Sequence, residues 1–146
     1  MPGLVDTNVL LYAANSACEE HEAAREFLLA AAASADRWYL TDAILYEFLR
    51  VATHPKVFPK PLGWREALGF LQPLRACENF VVLGTGPHHW KRLEDELSHL
   101  THPAGNLFFD IRTVVMMRER GIRRIHTRDT DFLQFPDIEV IDPLRR

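Results

Sequence analysis

Asp6 closes a short apolar run, Gly3-Leu4-Val5, and opens the polar trio Asp6-Thr7-Asn8. A carboxylate where a strand hands over to a helix acts first as an N-cap for backbone N–H groups. The same position also suits an acid that holds a ligand, and both roles can be filled at once. Asp110 is the more unusual residue. It lies among Leu107, Phe108, Phe109, Ile111, Val114, Val115, Met116 and Met117, a segment apolar nearly all round and expected to be buried. An ionised carboxylate in such a setting is costly unless it is paired or bound to a cation, and Arg112 offers the simplest pairing. Glu47 interrupts a milder apolar run, Ala43 to Ala52, where an i,i+3 contact with Arg50 is the plain alternative. Asp129 and Asp131 alternate with threonine in Thr127-Arg128-Asp129-Thr130-Asp131-Phe132, a pattern that also suits turn capping.

Jointly these acids suggest chemistry that none suggests alone. Hard divalent cations take oxygen ligands, and a ring made by Asp6, Glu47, Asp110 and Asp129 could hold one or two of them. Ions so held neutralise charge on a phosphodiester and supply a nucleophile for its in-line displacement. Without a cation the same acids would repel a polyanion.

The elements that must position them can be read from hydrophobic period and capping signals. Gly3–Val5, Trp38–Leu40, Phe80–Leu83, Arg124–Thr127 and Ile138–Ile141 read as short strands. Helices are expected over Val9–Ala14, Glu19–Ala33, Asp42 to about Thr53, Trp64–Leu74 with Pro73 cutting into its end, His88 to about Leu100, and a strongly apolar one from an Asn106 cap to Gly121. Pro55–Gly63 is a proline-rich loop, and Asp129–Phe135 a short acidic loop or turn of helix. Strands alternating with helices predict an α/β fold with a parallel sheet covered on both faces. In such sheets the working cleft lies beyond the carboxyl ends of the strands. Asp6 and Asp129 each follow a strand directly, as that rule requires.

The 146 residues predict a single domain spanning 1–146, with no repeat or linker-like break. No apolar stretch is long enough for a membrane span, and the chain opens without a secretory pattern. Two cysteines, Cys18 and Cys77, stand without CxxC spacing, which fits a reducing, cytoplasmic setting. The net charge of −3 weighs against a polyanion partner, so the distribution of charge matters more than its sum. Arg112, Arg118, Arg120, Arg123, Arg124 and Arg128 crowd one stretch, while Lys56, Lys60 and Arg65 form a looser patch. A solvated face accounts for the arginines about as well as a binding surface does. A zinc site from His88-His89 and His99-x-x-His102 lacks both a cysteine partner and an HExxH pattern.

The order of these landmarks resembles the PIN-domain nucleases, and within them the VapC-type ribonuclease toxins of toxin–antitoxin pairs. The resemblance rests on Leu4-Val5-Asp6-Thr7-Asn8-Val9-Leu10, on Thr41–Glu47, on the Asn106–Gly121 helix with Asp110, and on His126-Thr127-Arg128-Asp129-Thr130-Asp131-Phe132. It implies an α/β/α sandwich around a parallel sheet of about five strands, and Mg²⁺- or Mn²⁺-dependent cleavage of RNA. It implies Asp6 and Asp110 as central metal ligands, with Glu47 and Asp129 completing the catalytic set. Asp131 is a possible further ligand, and Thr7, Asn8 and Thr127 would shape the pocket by hydrogen bonding. It further implies a homodimer and a small antitoxin that enters the active-site groove. Arg112, Arg118, Arg124 and Arg128 are the expected contacts to the RNA backbone.

Other readings compete. A phosphatase of the haloacid-dehalogenase kind needs a second acid two residues after the first, and Asn8 stands there. A receiver-like phosphoacceptor wants a lysine at the end of a late strand, which Arg124–Thr127 does not offer. A PIN-like nuclease acting on structured DNA, and an idle module binding RNA or protein, remain the alternatives.

Overall fold

The computed structural model describes residues 1–145. Its centre is a strand of only two residues, Leu4–Val5 (β1), whose side chains are wholly buried. β1 is followed by helices α1 (Thr7–Ala14) and α2 (His21–Ala33), then by β2 (Trp38–Thr41). Helices α3 (Asp42–Ala52) and α4 (Trp64–Ala76) lead to β3 (Phe80–Leu83), and α5 (His89–Ser98) and α6 (Leu107–Glu119) lead to β4 (Arg124–His126). A 3₁₀ turn, Thr130–Gln134, joins β4 to β5 (Glu139–Ile141).

All pairings are parallel and the sheet order is β3-β2-β1-β4-β5. The helical connections cover the sheet as an α/β/α sandwich, as the alternating pattern predicts. The chain runs outward from β1 to β3, then crosses back to start β4 on the other side of β1. The order therefore reverses between β1 and β4. At such a switch the loops leaving neighbouring strands part in opposite directions and open a crevice. The loop after β1 begins with Asp6, and the loop after β4 carries Asp129 and Asp131.

The core packs Leu4, Leu10, Leu40, Phe48, Met116 and Ile125 between sheet and helices. His126 is buried with them, its ring centroid 5.1 Å from that of Phe27 and 4.9 Å from that of Trp38. Its Nε2 donates to the Met1 carbonyl at 2.9 Å, and burial pushes its pKa down to about 4, so it is neutral near pH 7. Among the described residues no helix is long and apolar enough to cross a membrane.

Several local expectations need correction. The fourth helix continues past Pro73 to Ala76. Proline removes the bond to the carbonyl of Gly69, but both residues are exposed, so water can satisfy that carbonyl. Asn106 precedes α6 without a side-chain capping bond, because it already lies in the helical region at φ −63°. The preceding Gly105, at φ +63°, makes the turn, and its carbonyl accepts from Phe108 N–H. The first turn of α6 is not fully buried: Phe108 and Phe109 are exposed, Leu107 is partly buried against the core, and the fully buried residues begin at Ile111. Asp110 sits at that boundary, half-buried. The end of α6 follows its sequence signal. Gly121 adopts φ +68°, its N–H bonds to Arg118 O, and Ile122 N–H bonds to Met117 O, a Schellman ending sealed by buried Ile122.

Candidate metal centre

Asp6 caps α1, its Oδ1 accepting from Thr7 N–H at 2.8 Å. Its Oδ2 accepts from Thr127 Oγ1 at 2.8 Å and from Asn8 Nδ2 at 3.3 Å. Thr127 is the hub of the site. Its hydroxyl donates to Asp6 while accepting from Asn8 Nδ2 at 2.8 Å and from Asp129 N–H at 3.0 Å. Asn8 Oδ1 in turn accepts from Arg128 N–H at 3.2 Å. The loops leaving β1 and β4 are thus laced together by side chains more than a hundred residues apart in sequence. Thr7, whose backbone is held by Asp6, donates its hydroxyl to Glu47 Oε2 at 3.0 Å and so ties α3 to the same site.

The late loop is organised by its own sequence. Asp129 caps the 3₁₀ turn, its Oδ1 accepting from Asp131 N–H at 2.9 Å, and Phe132 is fully buried beneath it. This brings Asp129 and Asp131 against Asp110 in the first turn of α6. Each of the three offers a carboxylate oxygen within 4.8 Å of the others'. Oxygens on an octahedral divalent ion at about 2.1 Å stand about 3.0–4.2 Å apart, so a modest side-chain adjustment suffices to bind one. An all-oxygen set of this kind fits Mg²⁺ or Mn²⁺ and not a zinc site built on sulfur and nitrogen.

Asp6, Glu47, Asp110, Asp129 and Asp131 all line one cleft of about 440 Å³. Their mutual repulsion is visible in their acidities. Burial, then Asp129, Asp6, Asp131 and Glu47, raises the Asp110 pKa to about 7. Burial raises Asp6 to about 6, with Glu47 and Asp129 adding to it, against the hydrogen bonds from Thr127 and Thr7 that favour its ionised form. An array of acids that cannot all ionise cheaply is poised to exchange protons for a cation.

The five acids foreseen from the sequence, with Thr7, Asn8 and Thr127, thus converge in space. Asp110, Asp129 and Asp131 bring carboxylate oxygens within 4.8 Å of one another, and Asp6 and Asp110, expected as the central pair, line the same cleft and repel each other electrostatically. Asp6 has both oxygens already hydrogen-bonded. Sequence reasoning missed Arg50, which also lines the cleft; its place three residues after Glu47, on the same face of α3, was the available signal.

The four expected RNA-binding arginines do not gather at this cleft. Arg112 pairs with Asp42 at 3.2 Å beside an adjoining groove and leaves Asp110 unpaired by it. Arg118 pairs with buried Glu96 and reaches Pro136 O, far along α6. Arg128 pairs with Asp142 at 3.3 Å and Glu20 at 3.9 Å. Arg124 begins β4, pairs with Glu139 at 2.9 Å, and faces the amino ends of the strands, opposite the acids. Residues adjacent in sequence are scattered because the stretch runs through a helix end, a turn and a strand. Of the histidines, His89 lies 2.7 Å from Glu119 and His99 bonds to the Asp95 carbonyl.

Comparison with known proteins places this geometry in context. The PIN domain pattern matches residues 3–138. The chain is 32% identical over 146 residues to Ribonuclease VapC33 of Mycobacterium tuberculosis, covering 96% of each protein. It is 31% identical over 144 residues to Ribonuclease VapC24 of the same organism, covering 96% of this chain and 95% of that one. Among solved structures, VapC20 of M. tuberculosis, described as a sarcin-ricin loop cleaving toxin, superposes with a TM-score of 0.66 at 17% identity, over 92% of this chain and 97% of that one. A chain of the VapBC2 assembly of Rickettsia felis, solved with a promoter DNA fragment, gives 0.68 at 14%, over 96% and 97%. At those identities the two structures speak for the fold.

Proposed function

The chain belongs to the PIN domain family, and from that premise we propose that it is a metal-dependent endoribonuclease, the toxin member of a toxin–antitoxin pair of the VapC kind. The relatives named as ribonucleases match it over nearly their whole length. The observation that carries the reading is the convergence of five carboxylates at the switch point of the sheet, two of them with pKa values raised well above the ordinary carboxylate range.

In this reading Asp110, Asp129 and Asp131 hold Mg²⁺ or Mn²⁺, and Asp6 completes the set. A divalent ion bound there supplies charge neutralisation at the phosphodiester and activation of the attacking water. Asp6 also holds the loops after β1 and β4 in register through Thr127 and Asn8. Glu47, oriented by the Thr7 hydroxyl, is placed to accept a proton from the attacking water. Arg50, which lines the cleft, contacts a phosphate that flanks the scissile one, and Arg112 lies farther out in the adjoining groove that Arg50 also borders. A small antitoxin occupies the same cleft when the enzyme is silent. A second copy of the chain covers the neighbouring groove, where Tyr46 and Phe109 are 75% and 68% exposed. The cytoplasm, where RNA is abundant and cysteines stay reduced, is the setting proposed for this activity.

The test is cleavage of RNA by the purified chain with Mn²⁺ or Mg²⁺, in parallel with chelator, an all-deoxy strand of the same sequence, and the variant Asp6→Asn. RNA cut only with metal, DNA left intact and the variant inactive are the expected results. Undiminished cutting by Asp6→Asn would overturn the site assignment, and preferential cutting of the deoxy strand would overturn the substrate.

A further inference from the structure

At the amino ends of the strands, on the side of the sheet away from the acids, lies a second concavity of about 370 Å³. Arg37, Arg120, Arg123 and Arg124 line it, together with Tyr39 and the backbone of Gly3. The arginines come from three places in the fold: the entry to β2, the end of α6 and the start of β4. The pocket floor is close-packed, since a Cβ on Gly3 would stand 2.5 Å from the Arg124 carbonyl.

Arg124 is engaged by Glu139 and the Pro2 carbonyl. Arg37, Arg120 and Arg123 are exposed and make no ion pair among the described residues. Arg112, Arg118 and Arg128 each have an acid partner. Three guanidinium groups without an ion pair among the described residues thus line one concavity in a chain whose net charge is −3. The negative end of the α6 dipole accounts for Arg120 alone. Gathering the others beside it costs repulsion that no acid lining the pocket relieves: Glu139 pairs with Arg124 from outside it, and Asp36, next to Arg37 in sequence, does not line it.

We propose that this arginine pocket is a second phosphate-binding site, remote from the carboxylate cleft, that takes the phosphates of a nucleotide or of an RNA strand. Guanidinium forks match phosphate oxygens two at a time, and the Tyr39 ring beside them offers a face for a base. The proposal rests on the ribonuclease reading only for the natural source of the phosphate: the carboxylate cleft repels a polyanion, so a remote cationic anchor would hold a folded RNA.

The test is binding in chelator, which silences cleavage. A labelled single-stranded RNA is titrated by anisotropy at several salt concentrations, and ADP is titrated by thermal shift, using wild type and R37A/R120A/R123A. The triple variant should lose RNA affinity by about tenfold or more at moderate salt, and its log–log salt slope should fall by about two to three. Stabilisation by ADP that the triple variant lacks identifies a nucleotide as sufficient; RNA binding without an ADP response identifies the strand. R37A and R123A alone should each give part of the loss, so the result does not depend on one multiple variant folding. The proposal is overturned if the wild type binds neither ligand, or if the folded variants bind both as the wild type does. Loss of binding in the variants of a chain that cuts no RNA would keep this site and reject the ribonuclease reading.

Discussion

Thr127 shows how much a single hydroxyl can organise. Its one donor and two acceptor positions are all used, joining Asp6, Asn8 and the Asp129 backbone, so the carboxylates around it are held close despite their repulsion. The cost of burying these acids, and of holding them close, falls on Asp6 and Asp110. Folding raises both above the ordinary carboxylate value of 3.8, to about 6 and about 7. The folded chain then binds more protons than the unfolded chain between those limits, so these two groups lower stability as pH rises through about 4 to 7. His126 works the other way: lowered to about 4, it lowers stability as pH falls below its ordinary 6.5. Asp110→Asn removes one charge from the crowd. Without metal it should stabilise the chain by about 1–3 kcal/mol at pH 8, with the gain shrinking as pH falls through 7 toward 4, while RNA cleavage is lost. Melting temperatures of both proteins in chelator across that range check it. A destabilised variant at pH 8 would mean that burial of the charge and its crowding by the other acids are not what raise Asp110.

At the scale of elements, the short 3₁₀ turn after β4 carries two of the five cleft acids, yet it has little structure of its own. Phe132 anchors it: the ring is fully buried, while its neighbour Leu133 is 67% exposed. Phe132→Ala should cost about 3–5 kcal/mol in denaturant unfolding and weaken Mn²⁺ binding, whereas Leu133→Ala should leave both nearly unchanged. Equal effects would show that the turn is held by something other than the buried ring. The elements themselves were legible where the signal was local. The Asp6 cap, the Gly121 ending and the strand at Phe80–Leu83 all rest on a few consecutive residues. The errors arose where burial decides the outcome. Pro73 can stay inside α4 because its side of the helix is wet, and the first turn of α6 is only partly buried although its residues are as apolar as those that follow.

At the scale of the molecule, exposed aromatics beside a polar cleft ask for a cover. If a second copy supplies it, Phe109→Asp should shift the chain from dimer to monomer in sedimentation velocity with little loss of melting temperature. A wild type already monomeric at tens of micromolar, or a variant still dimeric, would reject that interface.

The residue types needed for divalent-metal chemistry, and their order along the chain, are properties of the sequence. So are the strands and helices that deliver them, because propensity, capping and hydrophobic period act between near neighbours. Which acids share a cation depends instead on contacts across the switch between β1 and β4, such as Asn8 to Thr127, and no local rule reaches that far. The same holds for the arginines. Their crowding is written in the chain, but tertiary packing gave Arg112, Arg118, Arg124 and Arg128 acidic partners and left others free at the far end of the sheet.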